Sequence, residues 1–289
     1  MFVSPMLASG MKDDFTIQPG QWSAEEKFDG HRLIVEISQG KSSLFVEKGI
    51  NAWSRYGITR ILPTHIMESL EKLPNGLFDG ELIVPGKRAY GVTELANSSE
   101  LVYVIFDVIN MEGEDYTDLP YDTRHFCLAK SITPIYDANS PTDPVQLAQT
   151  VNVNSMIEVC KLRDQIWERD GEGLILKRRN ATYQIGKRSR HLVKVKALRS
   201  AVLTIIAWAE SRGEKNYRGR YAAAVLRGED GITTTVKTKN DAMLRSLEQE
   251  AERTGQPPFL GRKLRIEYQE RTIPDGSYRH PRWDRFEDE

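Results

Sequence analysis

Lys27 stands in the run EKFDGHR (26–32), directly after a strand-like segment, and opens an ordered series of short polar motifs. Downstream come SRYG (54–57), FDGEL (78–82), FD (106–107), EGLILK (172–177) and KVK (194–196). Together they supply lysines, arginines and carboxylates, the side chains of nucleophilic catalysis and phosphate binding. Taken alone, Lys-x-Asp-Gly has two readings: a lysine set up for chemistry, or a lysine on an ordinary turn built by Asp29-Gly30. The stretch Lys177–Arg199 adds nine Lys or Arg in 23 residues with no acid, whereas Asp107–Asp118 carries five acids and no base. The basic run reads as a solvated face or as a groove for polyanions. A phosphate backbone favours such local positive charge even on a chain of net charge −1. Charge alone decides neither.

The elements that must hold these motifs follow from pattern. A chain of 289 residues suggests two domains, and 39% hydrophobic content suits ordinary globular cores. No apolar run has transmembrane length, and MFVSPMLASGMKDD lacks the basic leader and apolar stretch of a signal peptide, so a cytoplasmic protein is expected. Cys127 and Cys160 are too few for a disulfide framework or a four-ligand zinc site and read as buried thiols. Residues 22–27, 31–38, 43–48, 76–85, 100–109 and 173–177 read as strands, and 60–73 as a helix. A second helix is expected from Ser155 to Asp170, with Ser155 and Glu158 as a capping box and Gly171 closing its end. The region 111–152 gives no firm pattern. Beyond Arg199, segments 201–210, 220–228, 231–238 and 263–272 read as strands and 241–253 as a helix, the make-up of a small oligonucleotide-binding barrel. The expected fold class is α+β, with domains 1–198 and 199–289.

The ordered motifs, with SPMLA (4–8) before them, carry a resemblance across nearly the whole chain. The sequence resembles the covalent nucleotidyltransferase superfamily, and within it the ATP-dependent DNA ligases, especially the small two-domain forms of phages, viruses and some bacteria. The resemblance implies an adenylation domain of antiparallel sheets flanked by helices, followed by an OB-fold domain that closes over the nick. It implies nick sealing in three steps through a lysyl-AMP and a DNA-adenylate, with ATP as the AMP donor and Mg²⁺ or Mn²⁺ as the metal.

The same resemblance assigns roles residue by residue. Lys27, with Asp29 in the same motif, belongs to the catalytic set, Lys27 being the nucleophile on the ATP α-phosphate. An amine attacks only when neutral, a form favoured by the nearby cations Arg32, Lys194 and Lys196 and by a divalent metal. Glu25 would contact the adenine amino group, Phe106 would stack on the base and Glu81 would accept from the ribose hydroxyls. Arg32 and Arg55 would reach the nucleotide and the nick 5′-phosphate, for which a planar, multi-donor group is suited. Glu172, with Glu81, would bind the metal as a hard oxygen donor. Lys194 and Lys196, two apart on a strand, share a face and reach the phosphates. Lys187, Arg188, Arg190 and Arg218 would contact DNA, the last from the loop 212–220 that also holds Tyr217. The tail RHPRWDRFEDE (279–289) departs from the usual basic ending. Arg285, with Arg282 as the alternative, would orient the pyrophosphate. Nicked duplex DNA is the expected partner, held by two domains alone or with the help of mobile loops, in a monomer with no membrane association. An mRNA-capping-type guanylyltransferase and a catalytically inactive nucleic-acid-binding relative are the alternatives. An RNA ligase is disfavoured by the barrel-like second domain. An NAD-dependent ligase is disfavoured by the lack of a cysteine cluster and of a nicotinamide-recognition domain.

Overall fold

Alternation along HRLIVEISQ sends Leu33, Val35 and Ile37 to one face of a strand and Arg32, Ile34 and Glu36 to the other. That division, repeated on neighbouring strands, separates core from site. The computed structural model describes residues 2–12, 14–39, 48–87, 89–94, 98–136, 143–196, 199–211, 219–238, 241–268, 270–271 and 276–287. Two compact units result, Met1–Lys196 and Ala197–Glu289.

The first unit runs β1 (Leu7–Gly10), β2 (Trp22–Glu26), β3 (His31–Gln39), β4 (Lys48–Ser54), β5 (Thr59–Arg60), α1 (Thr64–Leu70), β6 (Gly76–Ile83) and α2 (Ala89–Glu94). It continues with β7 (Val102–Met111), β8 (Glu114–Asp115), α3 (Tyr121–Ile132), β9 (Val145–Leu147), β10 (Thr150–Val153), α4 (Met156–Glu168), β11 (Gly173–Arg178) and β12 (Arg188–Lys196). One sheet has the order β5-β4-β3-β6-β7-β8, with β9 beside β7, and the other the order β1-β12-β11-β2-β10. The expected antiparallel pairing holds for most ladders, but β1 runs parallel to β12 and β9 parallel to β7.

Three apolar layers organise these sheets. Leu33, Val35, Phe78 and Ile105 pack against Ile66 and Leu70 of α1 and Leu128 and Ile132 of α3. On the other sheet Ala24, Leu176 and Val195 pack against Val159 and Ile166 of α4. Between the two sheets, Ile34, Leu77 and Ile109 meet Met6, Tyr183 and Leu192. The sheets therefore face each other, and polar side chains on the inner faces share one cleft.

Local chemistry explains where the expected elements shift. The helix read over 60–73 is shorter, because Thr59 and Arg60 pair with β4 and Pro63 is the N-cap of α1. Of the strand read at 43–48, residues 43–47 lie outside the described residues, and β4 runs from Lys48 to Ser54. α3 falls in the region that gave no pattern, although Tyr121, Arg124, Leu128 and Ile132 are buried at helical spacing. Cys127 and Cys160 are half-buried free thiols, not buried ones, because both lie on partly exposed faces of α3 and α4.

The end of α4 departs from expectation in an informative way. Ser155 Oγ caps the Glu158 amide at 3.2 Å, but the Glu158 carboxylate accepts from the Asn154 amide instead of closing the box on Ser155. At the other end Asp170, not Gly171, takes the left-handed conformation, with φ 61°. The Gly171 amide donates to Ile166 O at 2.8 Å and the Asp170 amide to Trp167 O at 3.0 Å, a Schellman ending. Gly171 is required for space, since a Cβ there would meet Ile166 Cγ2 at 2.2 Å. Gly173 is required for both space and conformation, with φ 136° and Val195 O 2.2 Å from a notional Cβ.

The second unit comprises β13 (Arg199–Ser211), β14 (Gly219–Arg227), β15 (Thr233–Lys237), α5 (Asp241–Thr254), β16 (Lys263–Tyr268), β17 (Glu270–Arg271), β18 (Tyr278–Arg279) and β19 (Arg282–Phe286). Its five-stranded sheet has the order β15-β14-β13-β16-β19 and encloses Leu203, Ile205, Ala224, Leu226, Leu264 and Ile266. The expected closed barrel is not formed among the described residues. β15 and β19 approach each other, but no ladder joins them.

Gly173→Ala forces a β-carbon into the Val195 carbonyl and a strained φ. The expected cost is about 2 kcal/mol or more, read as a fall of about 5 °C in the thermal midpoint of the full chain. An unchanged midpoint would contradict the tight 171–173 turn.

Candidate active site

Period-two alternation puts one set of polar side chains from each sheet into the cleft. The first sheet contributes Arg32 from β3, Asp79 and Glu81 from β6 and Phe106 from β7. Arg32 lies opposite Glu81 in the β3–β6 ladder. The second sheet contributes Glu25 from β2, Lys177 from β11 and Lys194 and Lys196 from β12. Ile175 pairs with Glu25 on one side and Lys194 on the other, so all three share a face.

Lys27 follows β2 immediately, and its backbone amide donates to Gly173 O at 2.9 Å. This bond ties the lysine to the two-glycine turn that carries Glu172. The Glu172 carboxylate accepts from Lys27 Nζ on Oε2 and faces Lys196 Nζ at 3.3 Å on Oε1. One carboxylate thus organises two ammonium groups. Burial pulls the Lys194 ammonium below the usual lysine range. Lys196, Arg188 and Lys27 add to that pull, and Glu172 opposes it.

Deeper in the cleft, Glu25 is buried and pairs with Lys177 Nζ at 2.8 Å. It also accepts from the Tyr121 hydroxyl and from Thr150 Oγ1 at 3.0 Å. Lys177 donates to Phe106 O at 2.6 Å and stands over the Tyr121 and Phe106 rings at 4.7 and 5.1 Å. Arg32 forms a two-pronged pair with Asp79, at 2.9 Å from Nε and 2.5 Å from Nη2, and lies 5.3 Å from the Phe106 ring. Burial pushes the Glu81 carboxyl up to about 7, helped by Asp79 and Glu172 and opposed by Arg32 and Lys27. At the wall, Arg124 grips Asp107 at 2.7 and 3.0 Å. Burial alone would raise the Asp107 carboxyl, but Arg124 overrides it and holds the group below its ordinary value.

The structure brings Lys27, Glu172, Lys194 and Lys196 into one cluster and sets Glu25, Arg32, Glu81 and Phe106 around the same cleft. Asp29 is half-buried, directly before Gly30, in the stretch between β2 and β3. Arg55 is exposed, stacking on the Tyr56 ring at 4.6 Å. Lys187, Arg188 and Arg190 are exposed, and Arg188 also donates to Ala8 O. Arg285 is exposed and pairs with Asp284 at 3.2 Å, and Arg282 is exposed beside it. Arg218, Tyr217 and most of the 212–220 loop lie outside the described residues. Among the described residues, no group of three or more His, Cys, Asp or Glu side chains gathers to hold a metal ion. No described helix is long and apolar enough to cross a membrane.

Sequence reasoning missed Lys177, Asp79, Tyr121, Arg124 and Tyr183. Lys177 and Asp79 lie inside quoted motifs, EGLILK and FDGEL, and strand parity puts them on the cleft face. Tyr121 and Arg124 had only the helical spacing of α3 to mark them.

Comparison with known proteins settles the family. A model of the ATP dependent DNA ligase domain matches residues 5–196, about two thirds of the chain, from Pro5 of SPMLA to Lys196. The chain belongs to this family. It is 28% identical over 229 residues to the bifunctional non-homologous end joining protein LigD of Bacillus subtilis, covering 69% of this chain and 36% of that one. It is 25% identical over 250 residues to a DNA ligase of Methanothrix thermoacetophila, covering 79% of this chain and 42% of that one. The chain thus spans about two fifths or less of these relatives' lengths. Its fold is similar to a solved structure of Lig E DNA ligases described as binding DNA with a minimal scaffold. The TM-score is 0.70 at 18% identity, over 99% of this chain and 100% of that one. The α+β architecture of the family domain is therefore shared.

Two measurements test the buried pairs. Lys177→Met leaves Glu25 without its cation and is expected to cost about 3–5 kcal/mol in urea unfolding, most of it recovered by adding Glu25→Gln. Additive losses would mean the pair is not coupled. For Asp107, the depressed carboxyl adds stability above its unfolded-state pKa of about 4, which is lost as pH falls through the lower folded value. Wild type and Asp107→Asn should therefore converge in stability below about pH 4. A constant gap down to acid unfolding would contradict the pairing.

Proposed function

We propose that this chain is an ATP-dependent DNA ligase that seals 3′-hydroxyl/5′-phosphate nicks in duplex DNA through a lysyl-AMP on Lys27. The observation that carries the reading is the Lys27 amine held on Glu172, with Lys196 on the same carboxylate and Lys194 beside them. An amine next to a carboxylate and among cations suits attack on a phosphate, and the cations offset charge that builds on the phosphate oxygens.

Each step then has a group in place. The Lys27 ammonium gives one proton to solvent, its nitrogen attacks the α-phosphorus, and a second N–H proton leaves to solvent as the P–N bond forms. The bond to the bridging oxygen breaks and pyrophosphate leaves. A 5′-phosphate oxygen of nicked DNA next attacks the same phosphorus, and the P–N bond breaks as the nitrogen takes protons from solvent, returning Lys27. Finally the 3′-hydroxyl attacks the 5′-phosphate, its proton passing to solvent, and AMP leaves. The base lies against Phe106, where Lys177 donates and Glu25 accepts, a pair that complements the acceptor and amino donor on adenine's pairing edge. Glu81 accepts from the ribose, and Arg32 and Arg55 offer N–H donors to phosphate.

A divalent cation, Mg²⁺ or Mn²⁺, suits the chemistry of two cleft carboxylates, Glu81 and Glu172, hard-oxygen donors close enough for the Glu172 charge to help raise Glu81. When bound, such a cation adds positive charge that favours the neutral amine and offsets phosphate charge. Glu81 and Glu172 would hold it.

The domains are proposed as an adenylation domain over 1–198 and an OB-fold domain over 199–289. Supporting the second is its strand order, in which pairing β15 with β19 would close a five-stranded barrel, with α5 lying between β15 and β16 in sequence. Exposed Lys187, Arg188 and Arg190, with Arg218, are the proposed DNA contacts, and Arg285 is the candidate for orienting pyrophosphate. A cytoplasmic monomer is the proposed working form.

Incubation with α-labelled ATP, GTP or NAD and Mg²⁺, followed by denaturation, tests this reading. Covalent label from ATP alone, lost in Lys27→Ala, is expected, together with sealing of a nicked duplex. Preferential labelling by GTP would indicate capping-type chemistry. Absence of label from every nucleotide, in folded protein free of AMP, would overturn the proposal.

A further inference from the structure

The SPMLA segment and the loop after β11 have no part in the chemistry above, yet they meet at one buried hydroxyl. The Met6 amide donates to the Tyr183 hydroxyl at 3.1 Å, and that hydroxyl donates to Asp79 Oδ2 at 2.6 Å. Asp79 in turn holds Arg32 by Nε and Nη2. We propose that Tyr183, latched by Met6, is a positioning residue that fixes the Arg32 guanidinium for phosphate binding by locking the orientation of Asp79.

The direction of the chain follows from donor arithmetic. A hydroxyl that accepts from an amide is free to donate its own proton, and Asp79, fully buried, needs donors on every lone pair it can fill. Arg32 Nε takes Oδ1, while Arg32 Nη2 and Tyr183 share Oδ2, so the carboxylate cannot turn without losing a charge-assisted bond. Burial pushes the Tyr183 phenol far above its ordinary range, with Asp79 adding to the effect, which keeps the hydroxyl a donor. Two of the five guanidinium N–H groups are spent on Asp79, which leaves three that an anion in the cleft could meet. The ring is held as well: the Tyr183 amide donates to Thr117 O at 2.8 Å, and Arg124 lies 5.7 Å from the ring centroid. The latch is fastened from the other side by Gly186 N to Ser4 O at 2.9 Å and Gln184 N to Met6 Sδ at 3.2 Å.

This inference rests on the ligase reading for the phosphate, but the latch itself is testable without it. In ¹⁵N spectra of the full chain, the Arg32 Nε–H signal, identified by its loss in Arg32→Lys, should be sharp and slow to exchange. In Tyr183→Phe it should broaden or vanish. An unchanged signal would overturn the proposal whatever the activity. In single-turnover labelling by ATP, Tyr183→Phe is expected to be slower by about tenfold, the usual scale for one lost bond to a charged group. The double variant Arg32→Lys/Tyr183→Phe should be no slower than Arg32→Lys alone. Multiplying losses would mean that Tyr183 acts on general stability and would overturn the latch. If Tyr183→Phe fails to fold, the wild-type Tyr183 hydroxyl proton decides: a downfield, slowly exchanging signal is expected for a hydroxyl donating to a buried carboxylate at 2.6 Å, and its absence would overturn the latch. Wild-type protein that takes no label sinks the ligase reading and leaves the spectra to decide the latch.

Discussion

A carboxylate buried between two sheets must have a cation beside it, and the rest of this site is arranged around that requirement. Glu25, Asp79 and Asp107 are almost wholly buried, and each has one cationic partner: Lys177, Arg32 and Arg124. Such pairs are weak sources of net stability, because desolvation of both partners offsets much of their attraction. Their value here is direction. In a low-dielectric cleft they hold guanidinium and ammonium groups in set orientations, so little reorganisation is needed when a charged ligand arrives.

The cluster at the cleft's upper edge follows a different logic. Glu172 lies between Gly171 and Gly173, and each glycine is there because a β-carbon has no room. The Schellman ending of α4 brings the chain round at Asp170, and Gly173 drops it into β11 against Val195. The Lys27 amide bonds to Gly173 O, so nucleophile and carboxylate are set by one backbone contact rather than by long side chains finding each other. Helix packing beneath, through Ile166 and Val159, therefore bears directly on the distance between Lys27 and Glu172.

Strand parity explains why much of this could be read from the sequence. Glu25, Lys194 and Lys196 sit at cleft-facing positions of strands with clean alternation, and Lys27 and Glu172 lie at strand ends bounded by glycines. Their grouping was legible once the motifs were taken in order. Arg55 and the basic residues 187–190 were legible only as charges. Their exposure is consistent with many partners and specifies none.

The sequence by itself determined the α+β class, most strand positions and the alternation that sends Glu25, Lys194 and Lys196 to an inner face. These depend on local period, glycine placement and residue type, which are properties of short segments. Only the tertiary structure decided the partners. Tyr183 meets Asp79 across 104 residues and Met6 across 177, and Lys177 meets Phe106 across 71. No local pattern encodes such a separation. It is set by two sheets packing face to face, which also turned α3 from an unassigned stretch into the helix that holds Tyr121 and Arg124 against buried carboxylates.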